Sequence, residues 1–275
     1  EMVCSQKGFL LMLQKLGDDK VRSERYVRLL QEMRVEGVIA VPHVSGVHRD
    51  EIALIQEWGI PVVQIDNYVP GSNTDYVGCD NRLGAKMAAD HLLSLGHERF
   101  GIVSSVPLSL SCIAERIEAF HQAVDQRGTT TVHVIAAEKS EHNAYEFGRR
   151  ATHTLLDLPL PPTAVFATSA PTAVAVLRAI RERGLRCPED VAVVAFDDEQ
   201  FAGYLETALT AVHWPAFEIG RTASELLIRR IMKEETEPVR HILLKPVLIH
   251  RESTLGRGVT LESNLNHEHS KEVHL

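Results

Sequence analysis

Arg116 and Asp197 are the two side chains whose types and settings best suit gripping a small polar molecule. Asp197 and Asp198 end the apolar run 191–196, which reads as a buried parallel strand opening at its C-terminal end into a polar crevice. Ligands of open α/β sheets sit at such ends. Arg116 lies one position off an apolar helical stripe of Ile113, Ile117, Phe120 and Val124, so its guanidinium can leave the core and enter a cleft. A guanidinium offers five donors in a fixed fork, and an ionised carboxylate only accepts. Facing each other, the two would hold a polyhydroxylated or purine-like ligand. On the residues alone, Arg116 also fits a surface ion pair with Glu115 or Glu118, and the two aspartates also fit a strand exit capped by its own acids. Asp80 follows the strand-like 76–79 and precedes a helix, where capping is a sufficient role and a ligand contact the alternative.

Chemistry of other kinds has little to stand on. There is no G-x-G-x-x-G after a strand, no phosphate loop ending in Gly-Lys-Ser or Gly-Lys-Thr, no G-x-S-x-G elbow and no H-E-x-x-H helix. The chain therefore reads as a binding protein without cofactor or metal, not as an enzyme. Cys4, Cys79, Cys112 and Cys187 are too dispersed for a zinc knuckle or a redox dithiol. The formal charge is −8 with Lys and Arg spread along the chain, so the basic footprint that holds phosphates is missing. Any DNA contact would have to be made elsewhere. No run approaches the ~18 apolar residues of a membrane span, and no basic segment leads into an apolar leader core. These features predict a cytoplasmic protein with no membrane partner.

The elements that must position Arg116 and Asp197 alternate. Strands are predicted at 9–13, 38–41, 62–65, 100–103, 132–135, 164–167, 191–196 and 242–244, separated by helical patterns, which argues for parallel sheets flanked by helices. In 82–95 the apolar face is read as Leu83, Met87, His91, Leu92 and Leu95. Pro171 suits the first turn of a helix carrying Val174, Val176, Leu177 and Ile180, and a further helix is predicted over 217–232. With 275 residues, 44% of them hydrophobic, the chain can bury one large core or two moderate ones. A cleft between two lobes is the common solution. The stretch 256–275, with His267, His269 and His274, loses apolar periodicity and reads as a solvated polar tail.

Several segments in order, Val35-Glu36-Gly37-Val38-Ile39, Gly59-Ile60-Pro61-Val62-Val63, Val77-Gly78-Cys79-Asp80-Asn81-Arg82-Leu83-Gly84, His91-Leu92-Leu93-Ser94-Leu95-Gly96-His97 and Arg251-Glu252-Ser253-Thr254, carry a resemblance over most of the chain. The sequence resembles the effector-binding domain of LacI/GalR-family bacterial transcription regulators. That resemblance implies an α/β fold of two doubly wound parallel-sheet subdomains joined by three crossovers, with the ligand cleft between them. Mapped onto this chain, 1–96 plus 217–235 would form the N-terminal subdomain and 97–212 plus 240–254 the C-terminal one. Crossings would fall at Gly96-His97, at His213-Trp214-Pro215 and within 235–239. The family's first central strand, its helix-turn-helix and its hinge have no counterpart in the sequence. A sheet lacking its middle strand would expose apolar edges on both neighbours.

The resemblance also implies that Arg116 and Asp197 contact the effector, with Asp198 bracing the strand end. Ser169 stands in Phe166-Ala167-Thr168-Ser169-Ala170-Pro171, where sugar-responsive relatives carry an Asn-Asp pair, so hydroxyl partners are fewer. Lys139 stands near a commonly aromatic position and would favour a phosphorylated or carboxylated effector, unless it points to solvent. With Asp80 these make up the candidate effector-binding set. The implied effector is a sugar, sugar phosphate or nucleoside-like molecule. It would shift the population of lobe arrangements in a homodimer bound to operator DNA. The alternative is an extracytoplasmic sugar-binding protein of a transporter, which shares the two-lobed plan.

Overall fold

The computed structural model describes residues 1–14, 20–42, 49–126, 128, 130–139 and 143–255. Its first part runs α1 (Met2–Gln6), α2 (Lys20–Glu32), β1 (Val38–Ala40), α3 (Arg49–Glu57), β2 (Val62–Ile65) and β3 (Asp75–Cys79). Then follow α4 (Asn81–Ser94), β4 (Arg99–Ser104), α5 (Ser111–Asp125), β5 (Thr131–Ala136), α6 (Ala144–Leu156), β6 (Ala164–Ala167), α7 (Ala170–Glu182) and β7 (Ala192–Phe196). After a 3-10 turn at Gln200–Gly203 come β8 (Thr210–His213), α8 (Ala216–Ile231), β9 (His241–Leu244), β10 (Val247–Ile249) and α9 (Glu252–Leu255). The predicted polar tail lies outside the described residues. Among the described residues no helix is long and apolar enough to cross a membrane.

Two sheets organise these elements, with strand orders β1-β2-β3-β9 and β10-β8-β7-β6-β4-β5. All pairings are parallel except β10 with β8. The apolar run ahead of Asp197 is the fully buried strand β7, near the middle of the second sheet. In that sheet β4 lies between β5 and β6, so the chain winds one way to β5 and the other way through β6, β7 and β8. The crevice at such a reversal, beyond the carboxyl ends of the strands, is where α/β sheets hold ligands.

Three strand and helix placements differ from the sequence mapping. Helix α4, expected in the first lobe, packs against β7, β8, β10 and α5 of the second. Its buried face is Gly84, Ala85, Ala88, Ala89, Leu92 and Leu93, and Leu95 is exposed. Small side chains let the helix lie close to the sheet: a Cβ on Gly84 would sit 2.8 Å from the Phe196 ring and 2.9 Å from Val212. Strand β9, expected in the second lobe, pairs with β3 in the first sheet. The chain therefore leaves the first sheet at Asp80-Asn81, returns at Trp214-Pro215 and leaves again at Lys245-Pro246. The first and third exits are adjacent, joined by the Asp80 N–H donating to Leu244 O at 2.9 Å.

The third difference is segment 9–13, predicted as a strand but carrying no regular structure. Apolar side chains alone do not make a strand; backbone groups need a neighbouring ladder. Among the described residues β1 pairs only with β2, and no strand lies beside 9–13. Helix α8 covers the first sheet, packing on β1, β2 and β3 with Ile219, Ala223, Leu226, Leu227 and Ile228 buried. Arg230 near its end donates from Nε and Nη2 to the buried Asp75 carboxylate at 2.8 and 3.0 Å.

Candidate functional site

Arg116 is positioned by the apolar stripe of α5, whose Ile113, Ile117, Phe120 and Val124 are all buried. Its side chain is 5% exposed, yet every face of the guanidinium is engaged at the crevice. Nε donates to Asn81 Oδ1 at 2.9 Å and Nη1 to Thr168 O at 2.9 Å. Nη2 lies 3.5 Å from Asp197 Oδ1. The guanidinium carbon sits 3.6 Å from the Phe196 ring centroid, a cation–π contact from the last residue of β7. A buried arginine is tolerated because its charge is shared among these partners. The Nη2 contact is the loosest of them, and Asp197, with its side chain 22% exposed, is the most open.

Asp197 itself adopts a left-handed backbone, φ +71°, which turns its carboxylate off the strand axis. Burial pushes its pKa up to about 6, with Asp66 and Glu199 adding to the rise and Arg116 opposing it. Asp66 repeats the arrangement on the first lobe: it follows β2 directly and has φ +63°. Asp198 is not available to a ligand in the same way, since Arg251 holds it by two bonds of 2.6 and 3.1 Å. The whole Arg251-Glu252-Ser253-Thr254 segment is a clasp on the second sheet. Glu252 accepts from Ala208 N, Ser253 Oγ donates to Val193 O, and Thr254 shares a hydrogen bond with Thr210.

Ser169 starts α7 just beyond β6, and its hydroxyl bonds Thr172, which in turn bonds Ser105 at the end of β4. It therefore flanks the carbonyl of Thr168 that receives Arg116. Asp80 caps α4, accepting from Leu83 N at 2.9 Å. Its neighbour Asn81 reaches the site instead, accepting from Arg116 and donating to Glu115 Oε2 at 3.2 Å. Lys139 is exposed in the loop after β5, and no bond among the described residues joins it to Arg116 or Asp197.

From the first lobe, the segment after β2 touches α5 directly. Tyr68 N donates to Ser111 Oγ at 3.0 Å, Tyr68 OH donates to Glu115 Oε1 at 2.9 Å, and Cys112 N donates to Asn67 Oδ1 at 3.2 Å. Residue reasoning missed Asp66, Asn67, Tyr68, Asn81, Glu115 and Phe196. The signal for Asp66 was present, because it ends the buried run of β2 as Asp197 ends β7. Asn81 and Phe196 carry no periodicity signal that separates them from a helix start and a core aromatic.

Comparison with known proteins places the fold in a family. A Periplasmic binding protein-like domain family matches residues 89–254. The HTH-type transcriptional regulator CelR of Thermobifida fusca is 33% identical over 253 residues, covering 90% of this chain and 72% of that protein. A CelR–cellobiose complex has 32% identity and a TM-score of 0.80, covering 92% of this chain and 76% of that one. A LacI family transcriptional regulator from Enterococcus faecium with bound ribose has 27% identity and a TM-score of 0.79, covering 92% of this chain and 90% of that one. These relatives are regulators, not transporter components or enzymes. The chain belongs to the LacI family of transcriptional regulators, as an effector-sensing domain of periplasmic-binding-protein-like α/β fold.

Proposed function

We propose that this chain senses a neutral polyhydroxylated molecule of the sugar class, gripped between Arg116 and Asp197 on one lobe and the 66–68 segment on the other. The observation that carries the reading is the loose 3.5 Å contact of Arg116 with a partly open Asp197, at the reversal point of a parallel sheet. Hydroxyl groups can enter between them, accepting from the guanidinium and donating to the carboxylate. Ser169 adds a hydroxyl at the rim, while Asp80 acts through its cap on α4. Asp197 lies 3.5 Å from the buried Arg116 guanidinium, Asp66 acts on it electrostatically and Glu115 bonds its partner Asn81, so a phosphate would meet carboxylates; Lys139 stands too exposed to offset them. Relatives whose structures hold ribose and cellobiose support the same class. Binding stabilises the closed arrangement of the lobes, and a homodimer passes that change to DNA-reading heads on operator DNA.

Isothermal titration of D-ribose, D-glucose, cellobiose and their phosphates tests the class and the site together. One neutral sugar is expected to bind, and Arg116→Lys and Asp197→Asn are each expected to weaken it by about tenfold or more, the loss of one charge-assisted hydrogen bond. Light scattering of the same samples should give twice the chain mass. Arg116→Lys is preferred to Arg116→Ala, which would orphan the Thr168 carbonyl and Asn81 in the interior. A sugar phosphate as the tightest binder, or unchanged affinity in both variants, sinks the reading.

A further inference from the structure

We propose that Asn67 is a positioning residue: its side-chain amide takes its orientation from the second lobe and imposes it on the Asp66 carboxylate, so that the first lobe's half of the effector site is completed by lobe closure. The inference rests on the effector site proposed above and adds what assembles it. Asn67 is buried between the lobes. Its Oδ1 accepts from Cys112 N at 3.2 Å and from Ser111 Oγ at 3.4 Å, both in the first turn of α5. Its Nδ2 donates to Asp66 Oδ2 at 3.0 Å. An amide carries its acceptor and its donors on one rigid plane. Once the α5 donors fix the oxygen, the nitrogen is fixed too, and with it the carboxylate that it meets. The reversed amide would set an NH2 group against the Cys112 N–H.

The rest of this loop is held from within its own lobe. Gln64, buried in β2, accepts from Val69 N at 2.8 Å and donates to Ser72 Oγ at 2.7 Å and to Thr74 Oγ1. Tyr76 OH donates to Asp66 O at 3.1 Å, and its ring lies along β3 over Gly78, where a Cβ would overlap the hydroxyl. The left-handed backbone of Asp66, φ +63°, is therefore pinned by the first lobe, whereas the Asn67 bond to its carboxylate depends on α5. Asp66 acts electrostatically on both Arg116 and Asp197, so its carboxylate faces the crevice that they line. A ligand donating to Asp66 then binds better with α5 docked than with α5 withdrawn. That difference is what lets a ligand favour one lobe arrangement.

Asn67→Asp separates this role from that of a simple brace between lobes. It keeps an acceptor for the Cys112 and Ser111 donors, at a helix N-terminus that favours negative charge, and removes only the donor to Asp66. The unliganded radius of gyration by X-ray scattering is expected to stay unchanged. Titration calorimetry with D-ribose, D-glucose and cellobiose is expected to show the neutral sugar that binds the native chain weakened about tenfold. Asp66→Asn, which tolerates the same left-handed backbone, should cost a similar factor. The two substitutions together should bind within about twofold of Asp66→Asn alone, where independent effects would multiply to about a hundredfold. A measurement without ligand stands beside these: in an asparagine-labelled chain followed by NMR, Tyr68→Phe should speed exchange of the Asn67 side-chain amide protons about tenfold and leave the Val69 amide, held by Gln64, unchanged. Unchanged sugar affinity in Asn67→Asp, multiplied losses in the double variant, or Asn67 exchange unaltered by Tyr68→Phe each overturns the proposal. If none of the three sugars binds the native chain, the sugar reading falls, and the exchange rates decide the positioning role by themselves.

Discussion

Two aspartates at strand ends, Asp66 and Asp197, hold left-handed backbone conformations that cost a non-glycine residue roughly 1–3 kcal/mol each. The cost places acceptors in the crevice where extended geometry would leave them beside the sheet. Asp197 carries a second strain, its pKa of about 6 against an ordinary 3.8, caused first by burial. A raised carboxyl value means that the fold prefers the protonated form. This group's contribution to stability is thus full below the unfolded value and is lost as pH rises through the folded one. In the proposed site ligand binding has the opposite sign, because sugar hydroxyls would donate to the ionised carboxylate. Affinity is expected to be level above pH 7 and to fall by up to about tenfold per unit below pH 6, where the proton must first leave. Titration calorimetry from pH 5 to 8 checks this, and Asp197→Asn should flatten the profile. An affinity independent of pH in the native chain would remove Asp197 from the contact set.

At the scale of elements, α4 links packing to the site. Its Gly84 lies against the Phe196 ring, and that ring carries the Arg116 guanidinium. Gly84→Ala should push Phe196 and Val212, lowering stability by about 1–3 kcal/mol, or several degrees of Tm, and weakening effector binding. Gly220→Ala in α8, where an added Cβ meets nothing within 4 Å, should be neutral or stabilising by up to about 1 kcal/mol. Calorimetric melts of the two variants separate the cases; equal Tm values would deny close packing at Gly84. The same helix shows what a sequence conceals. Continuous apolar runs such as 191–196 announced themselves, and the strand-end rule found Asp197. The lobe of α4 was not legible, because a stripe count follows hydrophobicity whereas close approach to a sheet is decided by Gly84, Ala85 and Ala88. Strands β9 and β10 are only four and three residues long, and the switch between sheets rests on Lys245-Pro246, which no periodicity marks. Asn81 and Phe196 entered the site only through three-dimensional neighbours.

Across the whole molecule, lobe arrangement is governed by what spans the cleft. Three chain crossings join the lobes, two of them adjacent at Asp80 and Leu244, and the lobes also meet through the segment 66–68 and the first turns of α5, where Tyr68 and Asn81 share the Glu115 carboxylate. A ligand shifts such an equilibrium only through contacts made better in one arrangement, and the bridging hydrogen bonds set where the balance starts. Tyr68 is the most informative bridge. Its ring rests against Tyr76 and His241, with centroids 5.0 and 5.4 Å away, while its hydroxyl crosses to Glu115. Tyr68→Phe keeps the ring contacts and deletes the crossing bond, worth about 1–3 kcal/mol because its acceptor is a carboxylate. The unliganded chain is then expected to expand, seen as a larger radius of gyration by X-ray scattering, and to bind its effector about five- to tenfold more weakly. Saturating effector should return the variant to the native radius, since the closed arrangement is still reachable. Were the unliganded radius and the affinity both unchanged, the Tyr68–Glu115 bond would have no part in closure, and the shift between arrangements would have to be carried by Asn67 and the backbone of Tyr68 alone.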